Sequence, residues 1–248
     1  MFPGLGVIAD RLRTAARVTV MTGAGISAAS GVPTFRGPGG LWRSFRPEEL
    51  ATADAFRRDS TLVWEWYDWR RGLIATCLPN AAHEVLARWS QRDGFTLITQ
   101  NVDGLHERAG TKDTIRFHGS LWRLRCWDEC GRPEWEDRTV PIAPLPPRCP
   151  DCGGLARPAV VWFGEPIDPR ILHACDAALD CDIFLSIGTS SVVYPAAGLV
   201  HTAKRRGAFA VEINPQTTDV ASSIDLAIPH PAETALPALD ALLTSAVG

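Results

Sequence analysis

Phe95-Thr96-Leu97-Ile98-Thr99-Gln100-Asn101-Val102-Asp103-Gly104-Leu105-His106 is the stretch that decides how this chain folds. An apolar, β-branched run passes directly into two amides and then a carboxylate. A buried parallel strand ends in this way when its carboxyl tip faces a ligand crevice. A second run, over 114–117, ends in Phe117-His118-Gly119. Two strand tips would then bring an amide, a carboxylate and an imidazole together. Taken alone, His118 reads first as a satisfied histidine in a polar loop.

The same pattern recurs outward along the chain. Val18-Thr19-Val20-Met21-Thr22 ends in Gly23-Ala24-Gly25-Ile26-Ser27, and helical residues follow. Strand, glycine turn and helix N-terminus form a phosphate cradle, because glycine admits close backbone approach and free N–H groups face the anion. Ala28 and Ser30 stand near where a third glycine would complete the motif, so a plain tight turn is the alternative. Ile183-Phe184-Leu185-Ser186-Ile187 ends in Gly188-Thr189-Ser190-Ser191, and the run over 208–213 ends at Asn214. A last short strand is predicted over 225–228. Helices are predicted over 4–17, 80–89, 168–179, 195–206 with Pro195 in the first turn, and 232–243. His83, on the second of these, reads as structural, bonded to a loop carbonyl. The stretch Ala159-Val160-Val161-Trp162-Phe163-Gly164-Glu165 reads as a strand returning to the same sheet. This alternation predicts an α/β fold, a doubly wound, Rossmann-like parallel sheet with helices on both faces.

Three segments interrupt the alternation. Residues 31–42 hold four glycines and two prolines, which excludes a helix or a central strand. The segment is either a lid over a ligand, with Phe35 and Arg36 against an anionic cofactor, or a loop without a role. Residues 47–74 read as helical and rich in aromatics. Within them Tyr67 and Arg70 are spaced i, i+3 and share a face. A phenol beside a guanidinium makes a carboxylate receptor, although a core-edge aromatic with a solvated arginine has the same spacing. Finally, Cys126-x3-Cys130 and Cys149-x2-Cys152 bracket a span with Pro133, Pro141, Pro144, Pro146 and Pro147. That span lacks helical or strand periodicity, and a four-thiolate zinc site would order it. Four cysteines close the tetrahedron, so the zinc would be structural.

Composition narrows the class. At 248 residues the chain can bury a full core, and a net charge of −3 leaves no footprint for nucleic acid or an anionic membrane. No apolar run reaches the ~18 residues of a membrane span. Seven cysteines, four of them in two close pairs, suit a reducing compartment with a metal site better than a disulfide framework. The expectation is a cytoplasmic protein, monomeric, whose N-terminal residues 1–17 begin the fold.

Taken together, Gly23-Ala24-Gly25-Ile26-Ser27, Pro33-Thr34-Phe35-Arg36-Gly37, the Thr99 to His106 run, Phe117-His118-Gly119, the four cysteines, 160–165, Gly188-Thr189-Ser190 and Glu212-Ile213-Asn214 resemble sirtuins, NAD-dependent protein-lysine deacylases, over nearly the whole chain. The resemblance implies one catalytic domain over 1–248. A Rossmann-like lobe would take about 1–34, 77–118 and 159–248, and a smaller lobe about 35–76 (helical) and 119–158 (zinc ribbon). It implies that Gly23, Ala24, Gly25, Ser27, Thr34, Phe35, Arg36, Trp42, Gln100, Asn101, Asp103, Gly188, Thr189, Ser190, Asn214 and Ala232 hold NAD, and that His118 and Asn101 are catalytic. Acyl-lysine peptide would lie along Val161, Trp162, Phe163, Gly164 and Glu165. His118 would act as general base on a ribose hydroxyl, and the products would be free lysine, nicotinamide and O-acyl-ADP-ribose. Ala51, Tyr67 and Arg70 are similar to the pocket of the class III members that prefer succinyl- and malonyl-lysine, with acetyl-lysine also accepted. Cys126, Cys130, Cys149 and Cys152 would hold one zinc. The alternatives are a protein mono-ADP-ribosyltransferase and a non-catalytic NAD-binding module.

Overall fold

The structure, a computed structural model, describes residues 2–34, 46–216, 218 and 224–245. In chain order its elements are α1 (Leu5–Thr14), β1 (Val18–Thr22), a 3-10 helix (Ala24–Ser30), α2 (Pro47–Leu50), α3 (Ala53–Arg58), α4 (Ser60–Thr76), α5 (Ala81–Trp89) and β2 (Phe95–Thr99). There follow α6 (Leu105–Arg108), β3 (Ile115–Arg116), β4 (Gly119–Cys126), β5 (Trp135–Glu136) and β6 (Ala156–Val160). The chain then gives α7 (Pro169–Ala178), β7 (Ile183–Ile187), α8 (Gly198–Arg205), β8 (Phe209–Ile213), β9 (Leu226–Ile228) and α9 (Ala232–Thr244).

Six strands form a parallel sheet in the order β3-β2-β1-β7-β8-β9. Its strands alternate in period 2, yet both faces are apolar, as expected of a sheet covered on both sides. Val18, Val20, Leu97, Leu185 and Val211 pack into one core with Leu5, Ile8 and Leu12 of α1, Val85 and Leu86 of α5, and Leu236 and Leu239 of α9. Met21, Phe184 and Ala210 point the other way, against Val200 and Ala203 of α8. Ile98 joins Cys175 of α7 on that same side. From β1 the chain winds outward to β2 and β3, then returns to β7 and winds the opposite way. The order therefore reverses between β1 and β7, and a crevice opens there beyond the carboxyl ends.

A second sheet, β5-β4-β6, is antiparallel and has its own core. Leu121, Leu124, Ala156 and Val160 pack there with Phe56, Trp64, Trp66, Tyr67 and Trp162. The Trp64 indole N–H donates to the Ala156 carbonyl at 2.8 Å, tying α4 to β6. The helical and cysteine-bearing insertions thus share one interior.

The structure corrects two expectations. The stretch 159–165 does not return to the main sheet: its strand ends at Val160 and pairs with β4. An apolar run buried on both faces suits either sheet, and periodicity carries no information about the partner. Residues 47–74 are helical, as expected, and divide into three helices. The Thr52 side chain accepts from Ala55 N–H at 3.1 Å and that of Asp59 from Leu62 N–H at 2.9 Å, so each caps a new start. The helix expected from Pro195 begins at Gly198. The strand β4 was not anticipated, although Trp122, Leu124 and Cys126 alternate with Arg123 and Arg125 in the period of a half-buried strand. Among the described residues no helix is long and apolar enough to cross a membrane.

Candidate active site

The crevice is built from strand tips that stay in register beyond their last paired residues. Gln100 N–H donates to the Thr22 carbonyl at 2.9 Å, Gly23 N–H to Ile187 at 3.0 Å, and Gly188 N–H to Ile213 at 3.0 Å. The turns after β1 and β7 then touch. Gly25 N–H donates to the Gly188 carbonyl at 2.7 Å. A methyl group at Gly25 would lie 2.7 Å from that oxygen, and one at Gly23 would lie 2.8 Å from the Thr189 Cα. These two glycines are thus required by contact between two backbones, over and above any approach to a ligand. Thr189 is buried and Ser190 exposed. Gln100 Nε2 donates to Thr189 Oγ1 at 2.9 Å, and Asn214 Nδ2 to the Thr189 carbonyl at 3.1 Å. Ala24 is half-buried, and buried Ala232 opens α9. Thr34 is half-buried, whereas Phe35, Arg36 and Trp42 lie outside the described residues.

Beneath the crevice lies a closed polar network. Ser27 is fully buried; its hydroxyl donates to Asp103 Oδ2 at 2.8 Å and accepts from Asn101 Nδ2 at 3.2 Å. Leu105 N–H donates to Asp103 Oδ1 at 2.9 Å, and Asn101 Nδ2 also reaches the Gly23 carbonyl at 3.1 Å. Ser27, expected among the NAD-binding residues, bonds both Asp103 and Asn101. Burial raises the Asp103 pKa, while the Leu105 and Ser27 donors oppose the rise.

Two histidines complete this floor. His83 Nδ1 accepts from Asn80 N–H in a capping box, and its Nε2 lies 3.4 Å from Ser27 Oγ. It bonds a helix start and a hydroxyl, not the loop carbonyl expected. His106 Nε2 is 2.9 Å from Thr22 Oγ1, and the two rings are 4.8 Å apart. Burial, reinforced for His83 by His106, draws both pKa values down to about 3. Sequence reasoning missed this pair. The one available signal was Asn80 three residues before His83, the spacing of a reciprocal N-cap.

His118 projects at the mouth of the crevice. Its Nδ1 is 3.1 Å from the Gln100 carbonyl, which can only accept, so Nδ1 carries the hydrogen and Nε2 keeps its lone pair. Burial lowers its pKa, and the Gln100 carbonyl partly restores it. The ring is therefore an unprotonated acceptor at neutral pH.

Beside His118 runs the strip 161–165. Val161 N–H donates to the His118 carbonyl at 3.0 Å, the Trp162 indole to the Tyr67 hydroxyl at 2.9 Å, and Phe163 N–H to the Ala51 carbonyl at 2.9 Å. Gly164 has φ 83°, and the carboxylate of Glu165 turns inward to buried Arg157. Tyr67 and Arg70 are both buried, and the Arg70 guanidinium lies 4.9 Å over the Trp66 ring. Burial lowers the Arg70 pKa, whereas Tyr67 and Asp103 work against that shift.

At the far end of the second sheet, the sulfurs of Cys126, Cys130, Cys149 and Cys152 all lie within 4.8 Å of one another. Two pairs, Cys126–Cys152 and Cys130–Cys149, are 3.6 Å apart. Four thiolates ~2.3 Å from a zinc ion would sit about 3.8 Å apart, so the cluster fits that ion. The extra residue in the first pair is absorbed at Glu129, whose φ of 49° turns the chain back. Strand β4 links this cluster to the crevice. Leu121 N–H donates to the Val102 carbonyl at 2.9 Å, and the Trp122 indole to the Asp103 carbonyl at 2.6 Å.

The description of a known protein family, the Sir2 family, matches residues 23–195 of this chain. The chain is similar to the NAD-dependent protein deacylase of Aquifex aeolicus (strain VF5), at 50% identity over 88% of this chain and 92% of the relative. It is also similar to the NAD-dependent protein deacylase of Mycolicibacterium paratuberculosis (strain ATCC BAA-968 / K-10), at 45% identity over 90% and 96%. Among solved structures, a Sir2 homologue in complex with NAD superposes with a TM-score of 0.91, at 40% identity over 98% of this chain and 95% of the other. A Sir2 protein bound to a myristoylated histone peptide gives a TM-score of 0.78, at 30% identity over 98% and 97%.

Proposed function

The chain belongs to the Sir2 family, and on that premise we infer that it is an NAD-dependent protein deacylase acting on acyl-lysine, with succinyl- and malonyl-lysine among its substrates beside acetyl-lysine. One observation carries the reading. Three successive residues of one strip bond in turn to the candidate base His118, to the Tyr67 phenol and to the Ala51 backbone. A peptide laid along that strip would have its acylated side chain between the base and the Tyr67–Arg70 pair.

The donor set fits NAD. The turns at Gly23, Ala24, Gly25, Gly188, Thr189 and Ser190, with Asn214 and the N-terminus of α9 at Ala232, line the reversal point of the sheet. Gln100, Asn101 and Asp103 stand at its tip beside His118. When bound, NAD would supply an electrophilic ribose carbon with nicotinamide as its leaving group and, with one water consumed, a ribose hydroxyl to accept the acyl group. His118 would take a proton from a ribose hydroxyl at Nε2, while the Gln100 carbonyl holds the tautomer. Ser27 would fix Asp103 and Asn101, and His83 and His106 would support them from below. The cysteine cluster would hold one structural zinc. In lobes, about 35–76 and 119–158, extended to Val160, would carry the acyl pocket and the metal, and the remainder the nucleotide.

Acid selectivity rests on Arg70. A charge-assisted bond is worth ~1.5–3 kcal/mol, or about 10- to 150-fold. One peptide in succinyl, malonyl and acetyl forms, incubated with NAD and analysed by mass spectrometry, tests the assignment. O-acyl-ADP-ribose is expected from all three. Arg70→Met should lose the two acidic substrates about 10-fold or more beyond its loss on acetyl. Equal losses would make Arg70 a structural cation.

A further inference from the structure

We propose that Trp162, braced by the Arg157–Glu165 ion pair, is a positioning residue that commits the Tyr67 hydroxyl to donate its hydrogen to an acidic acyl group. The inference rests on the acidic-acyl reading above and deepens it.

An indole N–H can only donate. Trp162 Nε1 lies 2.9 Å from the Tyr67 oxygen, so that oxygen accepts and its own hydrogen must point elsewhere. Among the described residues nothing accepts that hydrogen. Tyr67 is only 3% exposed, so water does not freely serve it. A buried hydroxyl with one bond made and one hydrogen unspent is costly unless an incoming acceptor completes it. The carboxylate of a succinyl or malonyl group is such an acceptor, and an acetyl methyl is not. Burial also raises the Tyr67 pKa, which keeps the hydrogen on the oxygen despite neighbouring Arg70.

The indole cannot drift from this task. The Arg157 guanidinium carbon lies 3.3 Å from the Trp162 ring centroid. Both terminal nitrogens of Arg157 pair with the Glu165 carboxylate, and Nη2 also donates to the Val160 carbonyl at 2.9 Å. Glu165 closes the circuit by accepting from the Trp162 backbone N–H at 2.8 Å. Ring and backbone of one residue are thus clamped by one ion pair, with the Arg157 side chain 3% exposed. Glu165 therefore sets a side chain of the pocket, a role beyond lining the peptide with its backbone. Were the indole replaced by a ring without N–H, the phenol oxygen would be open to the Arg70 guanidinium on the same helix. The direction of its hydrogen would no longer be fixed.

Trp162→Phe keeps an aromatic ring beneath Arg157 and removes the donor together with the second ring of the indole, so the double variant below separates the bond from the lost volume. It is expected to lower the succinyl-to-acetyl ratio of kcat/KM about 3- to 10-fold, the worth of one hydrogen bond, chiefly through KM for the succinyl peptide. Tyr67→Phe should lower the ratio at least as far, and the double variant no further than Tyr67→Phe alone, since both act through one hydroxyl. A ratio unmoved in Trp162→Phe, or losses that multiply in the double variant, overturns the proposal. Glu165→Gln, which loosens Arg157 but spares both aromatics, should shift the ratio in the same direction and decides the matter should Trp162→Phe not fold. A wild-type enzyme that leaves succinyl-lysine intact overturns the acyl reading and this proposal together. One that cleaves it, with the ratio fixed across the variants, overturns only the role of Trp162.

Discussion

His83 and His106 make the stability of this protein depend on pH in a window that can be isolated. Both imidazoles are buried, with pKa values of about 3 in place of the ordinary 6.5. The physical obstacles are visible. A proton on His83 Nδ1 would expel the Asn80 N–H that caps α5, and His106 Nδ1 is sealed without a partner. The unfolded chain takes up a proton on each ring as the pH falls through 6.5, and the folded chain refuses it. Folding stability is therefore complete above pH 6.5 and declines as the pH falls toward 3. Integrated from pH 7 to pH 5, one such histidine costs about 2 kcal/mol, and the pair about 4 kcal/mol. Ordinary carboxylates, at ~4, contribute little above pH 5. Urea unfolding at pH 7 and pH 5 should show this loss. In His106→Gln, whose amide can still donate to the Thr22 hydroxyl, the pH-dependent loss should shrink by about 2 kcal/mol, whatever the absolute stability at pH 7. A wild-type stability equal at the two pH values, or a variant with the same pH-dependent loss, would refute the reasoning.

Other consequences can be checked as directly. His118→Ala should lower turnover about 10²–10⁴-fold while binding of NAD, read by calorimetry, persists; near-normal turnover would remove His118 from the chemistry. Because burial lowers the His118 pKa from its ordinary value, the acid limb of kcat/KM on the wild type should have its midpoint below 6.5, and a midpoint above 6.5 would contradict the buried, Gln100-bound ring. Gly25→Ala drives a methyl group to 2.7 Å from the Gly188 carbonyl, so a loss of about 1–3 kcal/mol and weaker NAD binding are expected. Gly6→Ala, in α1 with nothing within 4 Å of the new carbon, should be neutral or stabilising by the same melting assay, and equal effects at the two sites would sink the close-contact argument. Metal analysis should find one zinc per chain, and its removal by chelator should shift the fluorescence of Trp127 and Trp135 near the cluster and lower the melting temperature. A metal-free protein with unchanged melting would show that the four thiols are not a structural site.

The main sheet could be read from the chain because its four central strands, β2, β1, β7 and β8, are apolar runs that end abruptly in glycine or polar residues. That grammar is local: burial on both faces demands the run, and the crevice demands the break. The four cysteines were legible for a similar reason, since ligand spacing is written within a few residues. The destination of 156–160 was not legible, because an apolar strand does not encode its partner, and only the bonds to β4 decide it. The capping residues Thr52 and Asp59 were in plain view, and the division of this helical segment could have been read from them.

Residue order alone was enough to tell which types stand at strand tips, and so which imidazole, amides and carboxylate gather at the crevice. What each of them faces was settled by the folded chain. It turned Ser27 inward to Asp103, set His83 and His106 beneath the crevice, and hung the Tyr67 phenol from Trp162, ninety-five residues away in sequence. Hydrogen-bond direction depends on atoms a few ångströms apart, and chain spacing does not report that distance once the backbone has folded back on itself.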